Sequence, residues 1–356
     1  MNEGDICMKT MFDYLDYYKE LAFEDCPFND MDNLVFSTLI YLPLKKINSK
    51  KDMTIDEVAN FVLSKSEIKN TSKSIKWSAI KVLECILNSK RYGDVMFCNY
   101  VSILDDKTQF GAVTFRFGKN NCYIAFKGTD NSLTGWKEDL ELSYIYPVMA
   151  QSLAVSYLKD TLRFSDKVVY VGGHSKGGNL AMASVMESDK KVFDRIKTVY
   201  NNDGPGFKKK QFESSKYRKM SSKLKMFIPE ESLVGILLYN FDNYLVVKSN
   251  EVSIMQHYPT SWGCFGQFFE KGKLSKNSIK MKNEILNFLD NTSDKNKKCM
   301  VDTFFDVLKK SGIKYFYEVK NLKFSDFSLL VKEAKGVDEE SKKILLEMVK
   351  KLIFKD

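Results

Sequence analysis

Apolar residues recur at three- and four-residue spacing through four early segments: FDYLDYYKELAF, MDNLVFSTLIYL, TIDEVANFVLSK and SIKWSAIKVLECILNS. That period predicts four helices before residue 94, with Thr54 as the N-cap of the third. From 95 to 265 the pattern changes to short β-branched and aromatic runs. GAVTFRF and CYIAFKG flank Gly118-Lys119-Asn120-Asn121 as a hairpin; a helix spans Met149 to Leu162; IKTVYN, LKMFIPE and YLVVKS read as further strands. From 266 to 356 the chain is lysine-rich and helical again, with one apolar stripe at Val301, Phe304, Phe305 and Leu308 and another at Ile344, Leu345, Met348, Val349, Leu352 and Ile353. Such stripes face a core. The fold class expected is therefore α/β with a mainly parallel sheet, carrying helical additions over 1–94 and 266–356.

Composition narrows the class. The chain has 356 residues, 44% of them hydrophobic and 13% aromatic, enough for a large core. Lys+Arg 55 against Asp+Glu 46 leaves a net charge of +9, spread over dispersed lysines. This describes a solvated surface rather than a nucleic-acid interface, and leaves room for a weak contact with anionic membrane surfaces. The 7 cysteines include no C-x-x-C and form no even set, as expected of reduced thiols. The start, MNEGDICMKTMFDYL, lacks the pattern of a signal peptide, and no apolar run reaches the roughly 20 residues of a membrane span, so a cytoplasmic location is expected.

Chemistry concentrates at VVYVGGHSKGGNLAMASV, Val168 to Val185. A β-branched run ends in Gly173-His174-Ser175-Lys176-Gly177 and a small-residue helix follows. This is G-x-S-x-G in the strand–turn–helix setting that lifts a serine hydroxyl out of the top of a sheet. A serine needs a base, and the chain has 2 histidines. His174 lies inside the elbow, which leaves His257, in SIMQHYPTSW, as the base for Ser175. The acid that orients the base is expected between them. Glu231 follows the strand LKMFI and is the first choice; Asp203, in YNNDGPGF, is its rival, and Asp242 a third. The oxyanion donors expected are the N–H of Lys176, directly after the nucleophile, and that of Thr129, in AFKGTDNSLTGWKEDL. No histidine or carboxylate set has the spacing of a metal site, so neither metal nor cofactor is expected.

With these residues in view the chain resembles a bacterial family of lipase-like α/β-hydrolases, related to the class 3 (fungal-type) lipases. The resemblance rests on PFNDMDNLVFSTLIYL, AFKGTDNSLTGWKEDL, VGGHSKGGNLA, VYNNDGPGF, IPEESLVGIL and QHYPTSW, and spans residues 11 to 265. It implies an α/β-hydrolase fold, the serine at Ser175, the histidine at His257 and an oxyanion donor at Thr129, with Trp136 and Asp139 matching the tryptophan and aspartate that follow the oxyanion loop in those lipases. Lys127 stands where they carry arginine, and IPEESLVG stands where they carry a D-x-V-P-like acid loop, with Glu231 nearest in position and Ser232 beside it.

The function expected is hydrolysis of an acyl ester, with lipid esters as the class the resemblance implies. Leu233, Ile236, Leu237, Leu238, Trp262 and Phe265 are candidates for lining an acyl groove. Thioester hydrolysis, a membrane-surface phospholipase and a non-catalytic binding or interaction protein on a hydrolase scaffold are the alternatives.

Overall fold

The computed structural model describes residues 8–44, 47, 51–64 and 74–321. Eight strands form one sheet in sequential order. They are β1 (Met53–Thr54), β2 (Met96–Leu104), β3 (Gln109–Phe117), β4 (Asn121–Phe126), β5 (Val168–His174), β6 (Ile196–Asn202), β7 (Leu224–Pro229) and β8 (Leu245–Val247). β1 to β4 pair antiparallel and β4 to β8 parallel. Together with helices on both faces this is an α/β-hydrolase fold.

Both faces of the sheet are covered, which is why its strands read as near-continuous apolar runs. Strand alternation sends Val113, Phe115, Tyr123, Tyr170 and Tyr200 to one side, where they meet α1 (Met11–Tyr18), α2 (Asp30–Leu39), α3 (Ile55–Leu63) and α4 (Ile75–Ile86). The opposite side carries Ala112, Cys122, Ile124, Val169, Val171 and Val199. These pack on α6 (Met149–Thr161), α7 (Lys176–Met186) and the helix Ser215–Ser221. Glycine and alanine positions in α7 let it lie close: a Cβ on Gly177 would sit 2.1 Å from the carbonyl oxygen of Phe126. Between α4 and α6 runs α5 (Leu133–Glu141).

α2 is fixed by a buried charge network. Asp32 accepts hydrogen bonds from Arg91 Nε at 2.9 Å and Nη2 at 2.6 Å, from Tyr92 Oη at 2.6 Å and from Tyr14 Oη at 3.0 Å. Both charged side chains are fully buried. A buried ion pair is tolerated when its remaining hydrogen-bond capacity is also met, and here the guanidinium also donates to the carbonyl of Cys26. Further along α2, Asn33 and Ser37 bond Tyr123 and Asn202 of the sheet. The helix is thereby locked in register, and its end delivers Tyr41 to the carboxyl edge of the strands.

The C-terminal stripe at Val301, Phe304, Phe305 and Leu308 lies on the helix Asp294–Lys310 and is buried against Leu133 and Tyr144, with Trp136 and Leu140 of α5 packed alongside. The stripe from Ile344 to Ile353 falls outside the described residues. Within the region before 94, β1 adds an edge strand to β2. One expectation needs correction. Ile236, Leu238 and Trp262, named as groove candidates, are 2%, 6% and 0% exposed and belong to the interior. Phe265 stands apart from them on a two-stranded hairpin, β9 (Cys264–Phe265) with β10 (Phe268–Phe269).

Candidate active site

Parallel pairing brings four strand ends level. Phe126 of β4 pairs with Gly173 of β5, His174 with Asn202 of β6, and Asn202 with Phe227 of β7. The loops leaving these ends are the Lys127–Ser132 segment, the elbow at Ser175, the Asp203 turn and the Glu230–Gly235 segment. Open α/β sheets bind ligands at this carboxyl edge.

Ser175 occupies the elbow with φ 59° and ψ −134°, a conformation uncommon for a residue with a Cβ. Its N–H donates to the carbonyl of Asn202 at 3.0 Å. Close packing holds the turn: a Cβ on Gly173 would meet the carbonyl carbon of Gly177 at 2.4 Å. The N–H of Lys176 opens α7, at the positive end of the helix dipole. Its side chain turns inward, donating from Nζ to the carbonyl of Gln109 at 2.9 Å and to Glu138 Oε2 at 3.0 Å. Both groups are buried, and Glu138 is further satisfied by Thr108 Oγ1 and the N–H of Ala150.

His257 closes a 3-10 turn over Ser253–His257 after β8. Its Nδ1 lies 2.6 Å from Asp203 Oδ2. An ionised carboxylate only accepts, so Nδ1 carries the proton and Nε2 is left as an acceptor. Asp203 is 0% exposed, and its second oxygen accepts from Ser232 Oγ at 2.5 Å and from the N–H of Gly235 at 3.0 Å. Each lone pair of a buried carboxylate left without a donor raises its cost, and these donors lower it. The carboxylate that meets the ring is thus Asp203, the rival, and not Glu231, the first choice. Glu231 Oε2 accepts from the N–H of Ser253 and from Gln256 Nε2. It braces the turn that carries His257 instead of meeting the ring. Asp242 is exposed and pairs with Lys282.

The loop after β4 lies against the elbow. A Cβ on Gly128 would come within 3.0 Å of Ser175 Cβ and 2.5 Å of the His174 carbonyl, so only glycine permits this approach. Next to it, Thr129 Oγ1 donates to Asp139 Oδ2 at 2.5 Å. Asp139 Oδ1 is buried with no hydrogen-bond partner. Burial pushes this carboxyl up to about 6, against the opposing pull of Lys176 and the Thr129 hydroxyl. With the folded value above the usual carboxylate range, the fold binds a proton that the open chain releases near pH 4. That contribution is complete at low pH and lost as pH rises through about 6. Thermal unfolding of wild type and Asp139→Asn is expected to show the gap between them moving against wild type from pH 4 to pH 7, by the linkage just given. A gap independent of pH would mean that Asp139 ionises in the fold as it does in the chain.

Two residues at this site were not singled out as site residues from the sequence. Tyr41, 4% exposed, accepts from the N–H of Gly128 at 2.9 Å and contacts His174 Nδ1 and the His174 carbonyl, each at 3.2 Å. His174, 3% exposed, places Nε2 at 2.7 Å from the carbonyl oxygen of His257. Burial, reinforced by the neighbouring His257, holds the His174 imidazole well below its usual pKa. An aromatic in an apolar helix stripe and a histidine inside a glycine-rich elbow carry no signal of these roles.

Among the described residues no helix is long and apolar enough to cross a membrane. No curated protein matches the chain. Among solved structures, the crystal structure of M37 lipase is similar over 57% of this chain and 68% of that one, at 14% identity and a TM-score of 0.34. A score that low leaves the fold to be read from the sheet and helices themselves. The family model for Mbeg1-like proteins matches residues 86–306, which takes in the sheet from β2 to β8, the elbow, the Asp203 turn and His257. On that match, covering well over half of its length, the chain belongs to the Mbeg1-like family.

Proposed function

We propose that this chain is a serine hydrolase that cleaves acyl esters through an acyl-enzyme on Ser175. One observation supports the reading above the others: a histidine held at 2.6 Å from a buried aspartate has its ring 4.4 Å, between centroids, from that of His174, the residue before the positive-φ serine.

The mechanism follows from the tautomer. Nε2 of His257 accepts the Ser175 hydroxyl proton as Oγ bonds to the ester carbonyl carbon. The carbonyl π pair moves to oxygen, and the N–H groups of Lys176 and Thr129 receive the resulting oxyanion. On collapse the C–O bond to the alcohol breaks and the imidazolium returns its proton to the leaving oxygen. Water repeats the sequence on the acyl-enzyme, giving its proton to Nε2 and releasing the carboxylic acid and Ser175. Asp203 keeps its charge throughout and stabilises the imidazolium. Thr129, tied by its hydroxyl to Asp139, keeps its loop in place for this step. Kinship with the class 3 lipases, suggested by the sequence blocks, favours lipid esters as the acyl donor.

Labelling with a fluorophosphonate probe tests the reading, because the probe phosphonylates only an activated serine. Wild type is expected to label and Ser175→Ala to stay blank. Folded wild type that takes up no label overturns the proposal and leaves a hydrolase scaffold without hydrolysis.

A further inference from the structure

We infer that His174 and Tyr41 are positioning residues that hold the base-bearing turn and the oxyanion loop to the elbow through one buried hydrogen-bond chain. The inference rests on the reading of Ser175 and His257 as nucleophile and base.

The chain can be followed atom by atom. His174 Nε2 faces only an acceptor, the carbonyl of His257, so it carries the ring proton and donates. Nδ1 of the same ring is then an acceptor and, with the His174 carbonyl, faces the Tyr41 hydroxyl at 3.2 Å. That hydroxyl in turn accepts the N–H of Gly128. The single proton of the Tyr41 hydroxyl has two acceptors at 3.2 Å, the ring nitrogen and the carbonyl of His174, so it ties Tyr41 to the same residue whichever it meets. Burial keeps the Tyr41 hydroxyl protonated and the His174 ring neutral, so neither end of the chain reverses within the working range of a serine hydrolase.

What the chain joins matters for the chemistry. His257 is set at its ring by Asp203 and at its backbone by His174, two restraints at either side of one residue. The two imidazoles lie 4.4 Å apart between centroids, so the base rests against the side chain that holds its carbonyl. Gly128 is the residue before Thr129, and without Tyr41 its N–H would lose the acceptor that fixes the loop. Tyr41 comes from the end of the locked α2, outside the segment 86–306 that defines the family match. The N-terminal helices therefore contribute a residue to the site as well as covering the sheet. Catalytic groups must be held to about half an ångström of their working positions, and buried second contacts of this kind supply that restraint.

The test uses three variants of the full chain, with p-nitrophenyl butyrate as substrate and thermal unfolding as the check on folding. Glutamine can place an amide N–H near the position of imidazole Nε2; asparagine is too short. His174→Asn is expected to lower kcat about 10- to 100-fold with KM within about twofold, since the loss falls on the transition state. His174→Gln is expected to recover to within about fivefold of wild type, and Tyr41→Phe to lower kcat about tenfold by freeing the Gly128 N–H. Proton NMR supplies a readout that turnover does not. The His257 Nδ1 proton, in its short bond to Asp203, is expected far downfield; it should broaden or move in His174→Asn and stay in place in His174→Gln. Folded His174→Asn and Tyr41→Phe with kcat within twofold of wild type and an unmoved resonance overturn the inference. So does His174→Gln as slow as His174→Asn. If His174→Asn does not fold, Tyr41→Phe and His174→Gln decide. If wild type shows no Ser175-dependent turnover, the proposed function falls, and the resonance still reports whether His174 holds the His257 turn.

Discussion

Replacing His257 by alanine is expected to reduce ester turnover on the order of 10⁴-fold or more, among the largest effects of any single substitution outside Ser175 itself. Without Nε2, nothing in the proposed mechanism takes the serine proton, and the hydroxyl attacks at its own high pKa. A loss of 10⁴ corresponds to roughly 5.5 kcal/mol of transition-state stabilisation. Because Ser175 and His257 act as one unit, the double variant His257→Ala with Ser175→Ala should be scarcely slower than either alone. The fluorophosphonate rate should fall with the turnover, and some thermal stability is lost as well, since the substitution leaves the buried Asp203 Oδ2 without its donor. Initial rates on p-nitrophenyl butyrate, with folding checked by circular dichroism, decide the matter. His257→Ala retaining near-full turnover would remove this histidine from the mechanism.

The elbow was legible because its chemistry and its structure are written in the same residues. The glycines that permit the serine are the ones that let α7 approach β4, so G-x-S-x-G between a β-branched strand and a small-residue helix admits few other structures. The sheet from β3 onward was legible for a related reason: burial on both faces makes each strand an apolar run. The two-residue strands β1, β9 and β10 are shorter than any period that can reveal them. The acid was harder. Asn202 and Phe227 pair across β6 and β7, so Asp203 and Glu231 leave neighbouring strand ends, and chain order alone permits either to meet the ring. What decides between them is the turn over Ser253–His257, whose direction depends on Glu231 itself through its bond to the Ser253 N–H. The IPEES loop does serve Asp203, by way of Ser232 and Gly235, a contribution that no spacing rule anticipates. Tyr41 shows a further limit. At the end of an apolar helix it reads as core, and its hydroxyl acquires a role only when the sheet brings Gly128 and His174 to it.

Asp203→Asn against Glu231→Gln separates the two carboxylates. The amide at 203 keeps the shape of the side chain but can present its NH₂ to Nδ1, which then carries the lone pair, so the proton moves to Nε2 and the ring can no longer accept from Ser175. A wrong tautomer of this kind costs about 10⁴-fold in kcat in a serine triad. Asp203→Asn is expected to lose that much on p-nitrophenyl butyrate, with KM nearly unchanged, and to lose the downfield Nδ1 resonance as well. Some stability is lost too, because Ser232 Oγ and the Gly235 N–H then share a weaker acceptor. Glu231→Gln retains an oxygen for the Ser253 N–H and the contacts to Gln256, so the turn under His257 survives. Its kcat is expected within about fivefold of wild type, the cost of exchanging a charged acceptor for a neutral one at a partly exposed bond. The opposite ranking, with Glu231→Gln crippled and Asp203→Asn near wild type, would transfer the role of the acid to Glu231. It would also require the His257 turn to reorient by the length of a side chain when substrate binds.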